Sequence, residues 1–177
     1  MKLKKFDEID WTTPDAEQFA LYWRGLEPDA DVPHRRSFDP MRISALLPFI
    51  AIYEVLSRDE IIYRLAGTAI VERLGKEVTG KNFLDFWEGE PRERAASSMY
   101  ECVSRPCGIF SELSGTAESG GTESSVAVGF PLLDDSGDCN RLVFYSTGFQ
   151  LTRTRVPRED QIRTLSAARG TFIDLSR

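Results

Sequence analysis

Apolar residues along the first third of the chain recur at helical spacing. In WTTPDAEQFALYWRGL, Phe19, Tyr22, Trp23 and Leu26 fall on one stripe, and Thr12 or Thr13 stands where a cap belongs. Pro14 suits the first turn, and Asp15 and Glu17 sit at the positive end of the helix dipole. A helix is predicted there, followed by a polar loop, GLEPDADVPHRRSFDP, and a short second helix over DPMRISALLPF, capped by Asp39 and ended by Pro48. Past Pro48 the period changes from helical to extended. FIAIYEVL and EIIYRLAG, split by SRD, predict a hairpin with Ile61, Tyr63 and Leu65 on one face and Ile62 and Arg64 on the other. GTAIVERLGKEVTG predicts a short helix with Ile70, Val71 and Leu74 on its stripe, stopped by Gly75, and NFLDFWEGE a helical turn with clustered aromatics. PRERAASSMYECVSRP predicts a longer helix presenting Ala95, Ala96, Met99, Cys102 and Val103 on one face.

The last third reads as strands. GIFSELSGTAE, ESSVAVGFPLL and RLVFYSTGFQL are joined by SGGT and DDSGDCN, turn-rich links that suit an antiparallel meander. Alternation in the middle strand puts Val126, Val128, Phe130 and Leu132 inward and turns Ala127 and Gly129 the other way. PREDQIRTLSAARG predicts a closing short helix. Helices, two strands, short helices and three strands make an α+β fold with one five-stranded antiparallel sheet. Three regions follow: a helical extension and loop over 1–48, a core over 49–152, and a tail over 153–177.

Composition narrows the function. At 177 residues, 41% hydrophobic and 28% charged, the chain has the makeup of one globular domain with a full core. A net charge of -6 argues against a nucleic-acid partner, which needs a basic face. No apolar run reaches the ~18 residues that span a bilayer, and MKLKKFDEIDW has no apolar stretch behind its basic residues, so neither a membrane segment nor a secretory signal is expected. Cys102, Cys107 and Cys139 are an odd number without a signal, which points to reduced thiols and a cytoplasmic location. With His34 the only histidine and no cysteine pair at zinc spacing, no metal site is expected.

The stretch GKEVTGKN resembles a phosphate-binding loop but ends in Asn82 where Ser or Thr would hold magnesium. A helix precedes it, not a buried strand, and only a short turn follows. Gly75 and Gly80 therefore read as a helix end and a turn.

Taken with that order of elements, YWRGL, the loop ending in FDP, LLP before the first strand, YRLAGTAI, the run LGKEVTGKNF and the closing GFPLLDDSGDCNRLVFY resemble a family of short bacterial single-PAS proteins, over roughly residues 10 to 150. The resemblance implies a sheet cupped under short helices, a small ligand or cofactor in the cup, a leading helix outside the core, and no attached output domain. A haem sensor of this fold would need an axial histidine on the long helix. His34 lies in a loop, and Met99 and Cys102 read as core. A photosensory flavin domain would need a cysteine in a motif like NCRFLQ, where this chain has GKNFLDFW. No cofactor is therefore expected.

The candidate lining is Phe83, Phe86, Trp87, Met99, Tyr100 and Val103, either filling the core or surrounding a small apolar ligand. Arg64 or Tyr100 would be its polar anchor, and an Arg64 facing the cup would favour a carboxylate. His34 with Arg35 and Arg36 reads as an anion site, a pH switch or a solvated loop cluster. The stripe of Phe19, Tyr22, Trp23 and Leu26 needs cover, and pairing with a second copy as a homodimer is favoured over folding back.

The functional expectation is a non-enzymatic sensory or interaction module in bacterial signalling that binds a small ligand or a protein partner. The alternatives are a ligand-free adaptor and a cone-fold enzyme of ketosteroid-isomerase type, with Glu112 as base and Tyr100 as donor. The early hairpin favours the first.

Overall fold

A computed structural model describes residues 3–28, 30–147 and 162–176. The first long helix, α1 (Pro14–Arg24), begins where capping dictates: Thr13 accepts a hydrogen bond from the Ala16 amide, with Pro14 at the first turn. Pro40–Phe49 is a kinked 3-10 segment instead of an α-helix, with Asp39 capping the Met41 amide and non-helical backbone at Ile43. Strands β2 (Ile50–Val55) and β3 (Ile61–Ala66) form the expected hairpin.

Gly67 then turns the chain into α2 (Thr68–Leu74). A Cβ there would lie 2.3 Å from the carbonyl oxygens of Leu47 and Pro48, so only glycine fits. Gly75 ends α2 at φ 66°, in the left-handed region that favours glycine. Asn82 caps the 3-10 turn Phe83–Phe86 through the Leu84 amide, accepts from the Ile61 amide and donates to the Asp59 carbonyl. The loop-like motif is thus a helix end, a turn and a cap that stitches to β3. Helix α3 (Gly89–Ser104) follows.

Strands β4 (Gly108–Ala117), β5 (Thr122–Leu133) and β6 (Cys139–Ser146) form the meander. The sheet does not stop at five strands. Ile162–Asp174, which overlap the helix expected over 157–170, form β7, antiparallel to β4, and Leu3–Lys5 form β1, parallel to β7. The order is β1-β7-β4-β5-β6-β2-β3. The helix expected from TLSAARG loses to tertiary structure: β4 has an edge whose amides and carbonyls need partners, and β7 supplies them over most of its length. The expected strand end at 148–151 and the tail's start at 153–161 lie outside the described residues. Among the described residues no helix is long and apolar enough to cross a membrane.

Both faces of the sheet are covered. One face carries α2, the 3-10 turn and α3; the other carries α1 and the Pro40–Phe49 segment. Val128, Phe130 and Leu132 face the α1 side, not the cup, while Ala127 faces the α3 side. The expected inward face of β5 is therefore the reverse of the cup's. Alternation gives the two sets of residues, but when both faces are buried it cannot say which helices cover which.

The α1 stripe folds back on its own sheet. Phe19 and Trp23 are buried; Trp23 stacks on Phe130 at 4.5 Å and donates Nε1–H to the Pro131 carbonyl at 3.0 Å. Tyr22 and Leu26 pack, half-buried, against the same cluster, and the Tyr22 hydroxyl donates to the Asp39 carbonyl. The dimer contact expected of this stripe is corrected for Phe19 and Trp23, which the protomer's own core covers, while Tyr22 and Leu26 keep part of their surface exposed.

Candidate ligand cleft

The cleft arises from a row of small residues. Register places Gly170 of β7, Ser111 of β4, Ala127 of β5 and Ser146 of β6 side by side on the α3 face of the sheet. None carries a side chain long enough to reach the helix above, so a cavity of about 180 Å³ remains between this row and Ala95, Ser98 and Met99 of α3. Phe144 walls one end, its ring lying across Gly129, where a Cβ would come within 2.2 Å of it. A second cavity, of about 90 Å³, continues toward α2 and Ser125 and shares Tyr53, Phe83, Leu113 and Ser146 with the first.

Aromatic rings hold the shared wall. Tyr53 stands 4.7 Å from Tyr63 and 5.2 Å from Phe83, and Phe83 stands 5.3 Å from Trp87. Trp87 is anchored by a backbone bridge to Leu165 of β7. Burial, then the neighbouring Tyr63, pushes the Tyr53 phenol well above its ordinary value, so it stays a neutral group in the wall. Among the described residues two cations reach the lining, and each has a carboxylate: Arg73 pairs with Glu123 at 2.8 Å, and Arg94 with Glu90.

Of the expected lining residues, Phe83, Trp87 and Met99 do surround the larger cavity. Phe86 and Val103 are buried in the same cluster without lining it; Phe86 packs on Tyr63 and under the Lys76 ammonium. Two expectations fail. Tyr100 is 43% exposed, on the outer side of α3. Arg64 is exposed on β3 and bonds the Glu54 carboxylate, which Arg141 also holds at 2.6 Å. Burial pushes the Glu54 carboxyl up, but the two guanidinium groups outweigh it and keep it below its usual range. A carboxylate ligand anchored by Arg64 is thereby ruled out, since Arg64 does not face the cup. Glu112 is exposed as well, so the pair that a cone-fold mechanism would need is not assembled in the cleft.

His34 is paired, and Arg35 and Arg36 are exposed. Its Nδ1 stands 3.1 Å from Glu27 Oε2, and its amide donates to Glu27 Oε1. The Ser37 hydroxyl, then His34, against opposing burial, hold the Glu27 carboxyl down at about 2. Among the described residues no cluster of three metal-ligating side chains occurs.

Sequence reasoning missed Tyr53, Phe144 and the small-residue row. Its signal was present as Ser111, Ala127 and Ser146, but only the strand register shows that they align.

Comparison with known proteins places this geometry. The PAS domain family matches residues 12–144, a span that includes α1. No curated protein matches the chain. Among solved structures, the light state of the Aureochrome1 blue-light photoreceptor domain is 15% identical at a TM-score of 0.45, covering 62% of this chain and 87% of that one. A ligand–DNA complex of VqmA from Vibrio cholerae is 16% identical at a TM-score of 0.44, covering 62% of this chain and 50% of that one. An RNA-binding light-oxygen-voltage receptor is 15% identical at a TM-score of 0.48, covering 69% of this chain and 36% of that one.

These two last structures overturn the expectation that nucleic acid is excluded. That expectation had rested on a net charge of -6, a property of the whole surface that does not exclude a local contact.

Proposed function

The chain belongs to the PAS domain family, and we propose that it works as a non-enzymatic sensory module that holds a small, mostly apolar ligand between α3 and the sheet. The observation that carries this reading is the cleft itself. A row of Gly170, Ser111, Ala127 and Ser146 under α3 leaves about 180 Å³ in a region where buried residues otherwise interdigitate. The relay is supported by where the floor leads. Gly170 and Ala167 belong to β7, which also pairs with β1, so occupancy bears on the edge where both strands meet. In this reading the module serves a bacterial, cytoplasmic signalling partner.

Native and denaturing mass spectrometry of freshly purified protein, with an absorbance scan into the visible, tests the proposal. A discrete extra mass per chain that is lost on denaturation is the expected result. A bare chain mass that no small apolar compound can increase contradicts it.

A further inference from the structure

The polar atoms of the lining say what kind of molecule the cleft would accept. Among the described residues two buried side-chain groups have no hydrogen-bond partner, the Trp87 Nε1–H and the Ser125 hydroxyl. Both residues line the cleft, Trp87 at the larger cavity and Ser125 at the smaller, and they are only 4% and 6% exposed. A buried donor without a partner is costly, and more than nine in ten such groups are satisfied in native proteins. Two orphans in one cleft therefore mark where a ligand's polar atoms would lie. Indole N–H is a donor only, so the group opposite Trp87 must be an acceptor.

Charge narrows the class further. The cations in the lining, Arg73 and Arg94, are each already paired with a carboxylate, Glu123 and Glu90. At Arg73 an anionic ligand would compete with the well-covered Glu123 carboxylate, Arg94 and Glu90 stand exposed at the mouth, and a cationic ligand would meet two guanidinium groups. Aromatic rings of Tyr53, Phe83 and Trp87 stand over a row of small residues, a lining whose chemistry suits an aromatic ring.

We propose that the cleft selects an uncharged, planar, mostly apolar molecule whose hydrogen-bond acceptor meets the Trp87 indole N–H, with the Ser125 hydroxyl receiving a second polar group toward α2. This rests on the reading of the cleft as a ligand site.

Three probes of one shape separate the two ideas: naphthalene, quinoline, which replaces one ring CH with an acceptor nitrogen, and 2-naphthoate. Each is titrated near pH 8 into uniformly 15N-labelled protein and followed through the indole N–H resonances of wild type, Trp87→Phe and Ser125→Ala. The Trp87 signal is the one that Trp87→Phe deletes. Quinoline is expected to bind the wild type roughly 3- to 10-fold more tightly than naphthalene, the factor that one net hydrogen bond provides. Only quinoline should move the Trp87 N–H signal downfield, and 2-naphthoate should bind most weakly. In Trp87→Phe the quinoline preference disappears while naphthalene still binds; in Ser125→Ala it persists.

Equal affinities in the wild type, or a preference that survives Trp87→Phe, would overturn the acceptor pairing while leaving the cleft a binding site. Tightest binding by 2-naphthoate would overturn the uncharged class. Failure of both neutral probes to bind at all would overturn the ligand site and this inference together. Should Trp87→Phe not fold, the wild-type affinity ratio decides alone, equal affinities for quinoline and naphthalene overturning the pairing.

Discussion

Glu27 shows how one residue organises a loop that has no regular structure. Its carboxylate accepts from the Ser37 hydroxyl, the His34 amide and the His34 ring, and so ties the end of α1's trailing turn to the segment that enters the sheet region at Pro33 and His34. Because those bonds lower its folded value to about 2 from 4.5, its contribution is present above pH 4.5 and is lost as pH falls from 4.5 toward 2. Urea unfolding of Glu27→Gln should show a loss of about 1 kcal/mol near neutrality, and the gap to wild type should close at the acid end of that window. A gap independent of pH would mean that the carboxylate's charge has no part in it. None of this was readable beforehand. The sequence shows His34 beside Arg35 and Arg36, but its partner lies seven residues upstream in a loop without periodicity, and only the folded turn brings Glu27, Ser37 and His34 together.

At the scale of elements, α1 is a covering helix. Trp23 makes the closest stacking contact on that side, at 4.5 Å from Phe130, and its N–H is satisfied by Pro131. Trp23→Ala should cost about 3–5 kcal/mol in thermal or denaturant unfolding. If the helix instead served mainly to join two copies, the same change would dissociate an assembly and leave the protomer's stability nearly unaltered. Gly67 joins β3 to α2 against the Leu47 and Pro48 carbonyls, so Gly67→Ala should destabilise by more than about 2 kcal/mol, read in the same unfolding curves.

Most elements could be seen in the sequence because their signals are local: the Thr13 cap with Pro14, the SRD break in the hairpin, Gly75 at a helix end and the glycine turns of the meander. β7 could not. Ile162 to Asp174 contains a run of good helix formers, and what makes it a strand is the unpaired edge of β4, about fifty residues away.

For the whole molecule, the decisive fact is a sheet buried on both faces. Alternation in β5 correctly separates Val128, Phe130 and Leu132 from Ala127, but the larger residues belong to the core under α1 and the smaller ones to the cleft. An apolar face suggested a cup there, whereas space exists where the side chains are small. Phe83, Trp87 and Met99 were legible as lining because they cluster on the elements that cover the sheet, while Arg64 was not: its phase on β3 is readable, but the side on which α2 and α3 lie is a property of the whole chain.

The central claim is that the row under α3 bounds open space and not packed core, and the stability of Ala127→Val tests it most directly. An added pair of methyl groups in a packed interior strains its neighbours by about 1–3 kcal/mol, whereas in a cavity they gain contacts and bury apolar surface. Denaturant unfolding of the ligand-free protein should find Ala127→Val as stable as wild type or up to about 1 kcal/mol more so, with probe binding weakened. A loss of more than about 1 kcal/mol with probe binding unchanged would contradict the account.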